Sequence, residues 1–155
     1  MTDWRRIDID ALEPEKFLTK EELVPDLPAT LHAQVVAVSQ QTRAALSQGK
    51  FQEALQAALE NPPYVADDQS KELHAETVFE VLLSIRNNHS VNELSQFVKH
   101  LDRAEQDTLV KYLYKSMSMA SGTKQGGLLL NWFEKTTEVT GLGPVVRYIT
   151  DRRTV

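Results

Sequence analysis

Four histidines, His32, His74, His89 and His100, are the side chains in this sequence best suited to bind a metal or to move a proton near neutral pH. A helical metal site needs ligands one turn apart, and none of the four falls in a His-Glu-x-x-His or Glu-x-x-His pattern. All four read as surface histidines. Nucleophilic catalysis has no better footing: there is no Gly-x-Ser-x-Gly elbow, and with no cysteine there is neither a thiolate nucleophile nor a thiolate zinc site. Gly126-Gly127 and Gly141-Leu142-Gly143 are too short to cradle a phosphate and lack a preceding strand, so they read as helix boundaries. The acid pairs Asp67-Asp68 and Glu21-Glu22 read as solvated surface rather than as a general acid and base. Asn88-His89-Ser90 fits a glycosylation sequon, but at this point in the sequence it reads as a helix end followed by a cap. These residues point away from an enzyme, a metal centre or a cofactor site.

The aromatic residues carry more information. Trp132-Phe133 lies beside Leu128, Leu129 and Leu130 in a helical pattern and reads as core. Trp4 stands instead in a charged stretch with no apolar period, where a tryptophan gains nothing unless its ring docks on something, and Trp and Arg are favoured interface anchors. Around it, Arg5, Arg6, Ile7, Asp8, Ile9 and Asp10 alternate as an extended peptide would, and Phe17 follows. The expectation is an extended N-terminal arm over residues 1–28, punctuated by Pro14, Pro25 and Pro28, ahead of a helical domain over 29–155.

Composition narrows the partners. A net charge of -5 and 155 residues describe one domain's worth of chain without the basic face that nucleic acids or anionic membranes favour. The absence of cysteine fits a reducing compartment, and MTDWRRIDID lacks the apolar core of a signal peptide. No later stretch is apolar over the roughly 18 residues that a membrane span requires. A cytoplasmic protein without membrane insertion or nucleic-acid binding is expected.

The elements that would position these residues are helical throughout. Leu31, Val35, Val38, Thr42, Ala45 and Leu46 mark one face of a first helix from about Ala29, which Gly49 closes. Phe51 to Leu59 forms a second, stopped by Asn61-Pro62-Pro63. The third runs from about Ser70 to Arg86, with Leu73, Thr77, Val78, Val81, Leu82 and Ile85 inward. Capping boxes at Ser90 to Glu93 and Asp102 to Glu105 open two more helices. A polar loop from Ser118 to Gly127 then precedes a helix around Trp132, closed near Gly141, and a terminal helix with Pro144 in its first turn ahead of Val145, Val146 and Ile149. The fold class is all-α: a compact bundle of about seven helices, with solenoid-like stacking as a variant of the same reading but no repeat at a fixed period.

Four blocks of sequence together resemble the smallest subunit, subunit 5, of the actin-related protein 2/3 complex. They are Trp4 to Asp10 with Lys16-Phe17; Gly49 to Pro63; Leu109 to Lys115; and the stretch from Leu128 to the end, with Leu129-Leu130-Asn131-Trp132, Gly141-Leu142-Gly143, Val146-Arg147 and Arg153-Thr154-Val155. The resemblance spans nearly the whole chain in order. It implies a non-catalytic structural subunit of a seven-protein machine that nucleates branched actin filaments at cortical actin structures. The helical domain would dock on the WD40-propeller subunit (subunit 1) and on subunit 4, with Arg147 and Arg153 in the inter-subunit surface. The arm would tether the actin-related protein 2 subunit through Trp4, Arg5, Arg6, Ile7, Asp8, Ile9, Asp10 and Phe17. The ATP sites of such a complex belong to its actin-related subunits, so no cofactor is expected here. One departure is the linker Thr19 to Pro28, which has no glycine where the family carries an acidic, Gly-rich stretch, and which is stiffer for its prolines. The competing expectation is a free-standing helical adaptor that binds peptides in a groove.

Overall fold

The structure is a computed structural model, and it describes residues 25–155. The arm residues Trp4, Arg5, Arg6, Ile7, Asp8, Ile9, Asp10 and Phe17 lie outside the described residues. Eight α-helices and one 3-10 turn follow one another among the described residues, with no strand. They are α1 (His32–Ser47), α2 (Phe51–Leu59), α3 (Asp68–Asn88), the turn Val91–Glu93, α4 (Leu94–Lys99), α5 (Arg103–Ser118), α6 (Ala120–Thr123), α7 (Gly126–Thr140) and α8 (Gly143–Thr150).

Local chemistry sets most boundaries. Between α1 and α2 the chain reverses at Gly49, whose φ of 73° lies in the left-handed region that a side chain disfavours. Asp67, read from sequence as solvated surface, caps α3 instead: its carboxylate accepts from the Ser70 backbone N–H at 3.1 Å and from the Ser70 hydroxyl at 2.6 Å. That cap starts α3 two residues earlier than the apolar period suggests. The Asp102 box is reciprocal, with Glu105 N donating to Asp102 Oδ1 at 2.7 Å and Asp102 N to Glu105 Oε2 at 2.8 Å. The stretch expected as a loop from Ser118 to Gly127 contains the single turn α6, and α7 begins within it at Gly126.

α3 and α5 form the centre. Both are buried nearly all round: α3 through His74, Ala75, Val78, Phe79, Val81, Leu82 and Ile85, and α5 through Leu109, Val110, Tyr112 and Leu113. α2 lies across both of them, α1 against α2 and α3, and α7 against α3, α4 and α5, while α8 rests on α5. Helices far apart in sequence therefore meet, which is the geometry of a bundle rather than of a one-dimensional stack. Trp132 of α7 is fully buried and donates its indole N–H to the Leu82 carbonyl at 3.1 Å. From the far end of the chain, Val155 comes back to join the same apolar cluster. α1 is held differently, through a Thr77 to Ser39 hydroxyl bond of 2.9 Å and an Arg43–Glu80 ion pair, with Val35 its one buried aliphatic residue and Leu31 exposed.

Candidate partner-binding surfaces

Arg147 and Arg153, the two helical-domain residues singled out in the sequence, lie where α8 and the tail meet α5. Lys111 projects from the buried face of α5 and is only 5 % exposed. Its Nζ donates to Asp151 Oδ2 at 2.7 Å, to Tyr64 Oη at 3.1 Å and to the Arg153 carbonyl at 3.2 Å, and sits 4.4 Å from the centre of the Tyr64 ring. A buried ammonium needs this many acceptors, because each unmet proton would cost the hydration it gave up. The Arg153 guanidinium closes on the same Asp151 carboxylate at 2.8 Å. Hydrogen bonds from Arg153, and then from Lys111, hold the Asp151 carboxyl far below the usual carboxylate range. A carboxylate stabilised that strongly is a poor general base.

One turn earlier, Arg147 makes a fork on Asp107, Nε to Oδ2 and Nη2 to Oδ1, both at 2.6 Å. Tyr148 stacks on Tyr114 with centroids 4.4 Å apart and planes 6° from parallel, and Phe133 meets Tyr114 edge-on. A cleft of about 500 Å³ opens between these groups, with Tyr64, Asp107, Lys111, Arg147 and Asp151 in its walls. Each cation there is neutralised by a carboxylate of the chain, and no hydroxyl stands paired with an activating base. The arrangement fastens α8 and the tail to α5. Arg147 and Arg153, expected in an inter-subunit surface, both contact carboxylates of their own chain.

The histidines divide. His32 and His100 are exposed, and His89 is half-buried between the rings of Phe51 and Phe97. His74 departs from the surface expectation: it is 2 % exposed, shares a 2.6 Å hydrogen bond with the Tyr112 hydroxyl, and burial pushes its pKa down to about 4. It forms part of the wall of a second cleft, about 600 Å³, between residues 27–30, α1 and the 61–65 loop. The sequence carried a signal for this burial, since His74 is in phase with Val78, Val81 and Ile85. Among the described residues no group of three or more His, Asp or Glu stands close enough to hold a metal ion, and no helix is long and apolar enough to cross a membrane.

Part of the uncovered surface is apolar: Leu130 on α7, Leu142 just before α8, and Val146 and Ile149 on α8 are each more than half exposed. The paired charges of the cleft and these open aliphatic side chains suit contact with a neighbour. The family model for the ARP2/3 complex 16 kDa subunit (p16-Arc) matches residues 3–155. The chain belongs to the p16-Arc family. It is 43% identical over 155 residues to actin-related protein 2/3 complex subunit 5 of Saccharomyces cerevisiae, covering 99% of this chain and 98% of that protein. It is 34% identical to subunit 5-C of Xenopus laevis and 33% identical to the human subunit 5-like protein, in each case over 98% of this chain and 94% of the relative. The p16-Arc match takes in residues 3–24 as well as the described helices.

Proposed function

We propose that this chain is a non-catalytic structural subunit of an actin-related protein 2/3 complex, the subunit-5 position in a seven-protein assembly that nucleates branched actin filaments. The observation that carries this reading is the family match from residue 3 to residue 155, with relatives named as subunit 5 covered over nearly their whole length. Paired charges and exposed aliphatic residues at α8 support it from the physical side, since an assembly subunit must keep some apolar surface for its neighbours. In this reading the helical domain docks on the WD40-propeller subunit and on subunit 4. The arm, through Trp4, Arg5, Arg6, Ile7, Asp8, Ile9, Asp10 and Phe17, retains the actin-related protein 2 subunit. Nucleotide chemistry belongs to the actin-related subunits, and the protein acts in the cytoplasm at cortical actin structures.

The test separates the two regions of the chain. Tagged full-length protein should recover the actin-related and propeller subunits in stoichiometric amounts from cell extract; recovery as a lone monomer would overturn the reading. Removing residues 1–28 should leave thermal unfolding of the helical domain nearly unchanged, while weakening retention of actin-related protein 2 and lowering nucleation in a pyrene-actin assay. Trp4→Ala with Phe17→Ala should reproduce part of that loss, because interface anchors of this type cost over about 1 kcal/mol each when truncated. If the deletion instead unfolds the domain, the arm belongs to its core and is no tether.

A further inference from the structure

The second cleft holds an unmet polar atom in an apolar setting. Thr30 N donates to the Val65 carbonyl at 2.8 Å, which pins residues 27–30 alongside the 61–65 loop. Val35 and Val38 of α1 face Pro62 and Val65 across a space of about 600 Å³, and His74 forms part of the wall. The His74 ring is 2 % exposed. Its Nδ1 is engaged by the Tyr112 hydroxyl, while Nε2, on the other edge of the ring, is buried with no hydrogen-bond partner among the described residues. When Tyr112 donates to Nδ1, the neutral ring carries its proton on Nε2, a donor without an acceptor. The other tautomer leaves two groups unmet, the Nε2 lone pair and the phenol proton, so the network assigns the proton to Nε2. The cleft suits an occupant that is apolar and brings a hydrogen-bond acceptor to His74.

The nearest candidate is the chain itself. The described residues begin at Pro25, beside the cleft wall that starts at Leu27, and 24 residues precede them in the sequence. A 2.8 Å bond from Leu27 N to the Pro25 carbonyl closes a three-residue turn at Asp26, so the chain changes direction at the rim of the cleft. We propose that Thr19 to Val24 folds back into this cleft, with Leu23 and Val24 against Val35, Val38 and Pro62, and with a main-chain carbonyl of the segment accepting from His74 Nε2. Lys20, Glu21 and Glu22 stay in water at its mouth. Six extended residues span about 20 Å, which is ample for the reach. The segment has no glycine, so seating it costs less conformational entropy than seating a glycine-rich stretch of the same length. Its seating fixes the point from which residues 1–18 depart and raises their effective concentration at whatever they reach. The contact lies within one chain, so the inference goes beyond the assembly role and does not depend on it.

The experiment uses the full chain on its own. A seated segment opens locally, well below the free energy of global unfolding, so amide exchange rather than melting is the measurement that reads it. Leu23→Asp with Val24→Asp puts two carboxylates where the cleft is apolar and leaves every described residue unchanged. Exchange of the amides of residues 19–24, followed by mass spectrometry, should be about tenfold slower in the wild type than in this variant. The His74 Nε2 proton, observed by proton–nitrogen correlation NMR, should give a signal in the wild type that broadens or vanishes in the variant. Equal exchange rates, or a His74 signal indifferent to the variant, overturn the proposal. Protection that grows with protein concentration also overturns it, because a second copy then fills the cleft. So does protection that appears only when other subunits are added, because the occupant is then a partner. If the chain recovers no subunits from extract, the assembly role fails while slow exchange in the isolated chain still stands, so the two readings fail separately.

Discussion

His74 is the residue whose environment most changes its behaviour. Folding takes its imidazole from water into the core beside Tyr112, and the pKa falls from 6.5 to about 4. The unfolded chain therefore takes up a proton on His74 at a higher pH than the folded chain does. The stabilising contribution is complete above about pH 6.5 and is lost progressively as pH falls to about 4, a total of roughly 3 kcal/mol. His74→Gln keeps a hydrogen-bonding partner for Tyr112 but does not titrate. Urea denaturation of this variant at pH 7 and pH 4.5 should show a distinctly smaller drop between the two pH values than the wild type shows; an equal drop would mean that other groups carry the acid sensitivity. Trp132 sits at the opposite extreme of legibility. Its place beside Leu128, Leu129 and Leu130 in a helical pattern identified it as core, and Trp132→Ala should cost about 3–5 kcal/mol in the same measurement, with the Leu82 carbonyl losing the indole donor as well. His74 was misread because an imidazole in a charged run looks like surface. Only its phase with Val78, Val81 and Ile85 says otherwise.

At the scale of elements, most of the fold could be read from the sequence because local chemistry places the ends of helices. Gly49, the two capping boxes, the Pro62-Pro63 stop and Pro144 all act within one turn of themselves, and each stands where the expectation put it. What could not be read was set by distant partners. Lys111 lies among core residues of α5 and no local pattern justifies it. Its burial depends on Asp151, Arg153 and Tyr64, which are 40, 42 and 47 residues away. The orientation of α8 is of the same kind: the spacing of Leu142, Val146 and Ile149 announces an apolar face, but not that Arg147 and Tyr148 win the inward side. An asymmetric prediction follows for the pair that anchors the tail. Asp151→Asn leaves a buried ammonium without its counter-charge and should destabilise by about 3 kcal/mol, whereas Lys111→Met removes the charge that needed matching and should cost much less. Chemical denaturation of the two variants side by side tests this, and equal losses would show that the lysine's stem rather than its charge is what matters.

Across the whole molecule, the described residues separate interior from exterior unevenly. The α2, α3, α4, α5 and α7 core is dense and apolar, α1 packs Ala45 and Leu46 against it and adds a hydroxyl bond and one ion pair, and α8 is tied on by charges and stacked rings with Val146 and Ile149 outward. In the proposed role the arm and the helical domain have separate partners, so their losses should be separable: arm removal should reduce nucleation in a pyrene-actin assay while the helical domain stays bound to the complex in a pull-down.

The outward stripe on α8 also bears on how much of this protein a cell can tolerate. Leu142, Val146 and Ile149 are exposed in the folded chain, so a copy in which nothing covers them displays aliphatic surface even though it is correctly folded. Quality-control machinery responds to exposed aliphatic surface and does not distinguish a misfolded chain from an orphan. If a partner covers these three residues, any copy in excess of that partner is marked for removal, which ties the amount of this chain to the amount of what covers it.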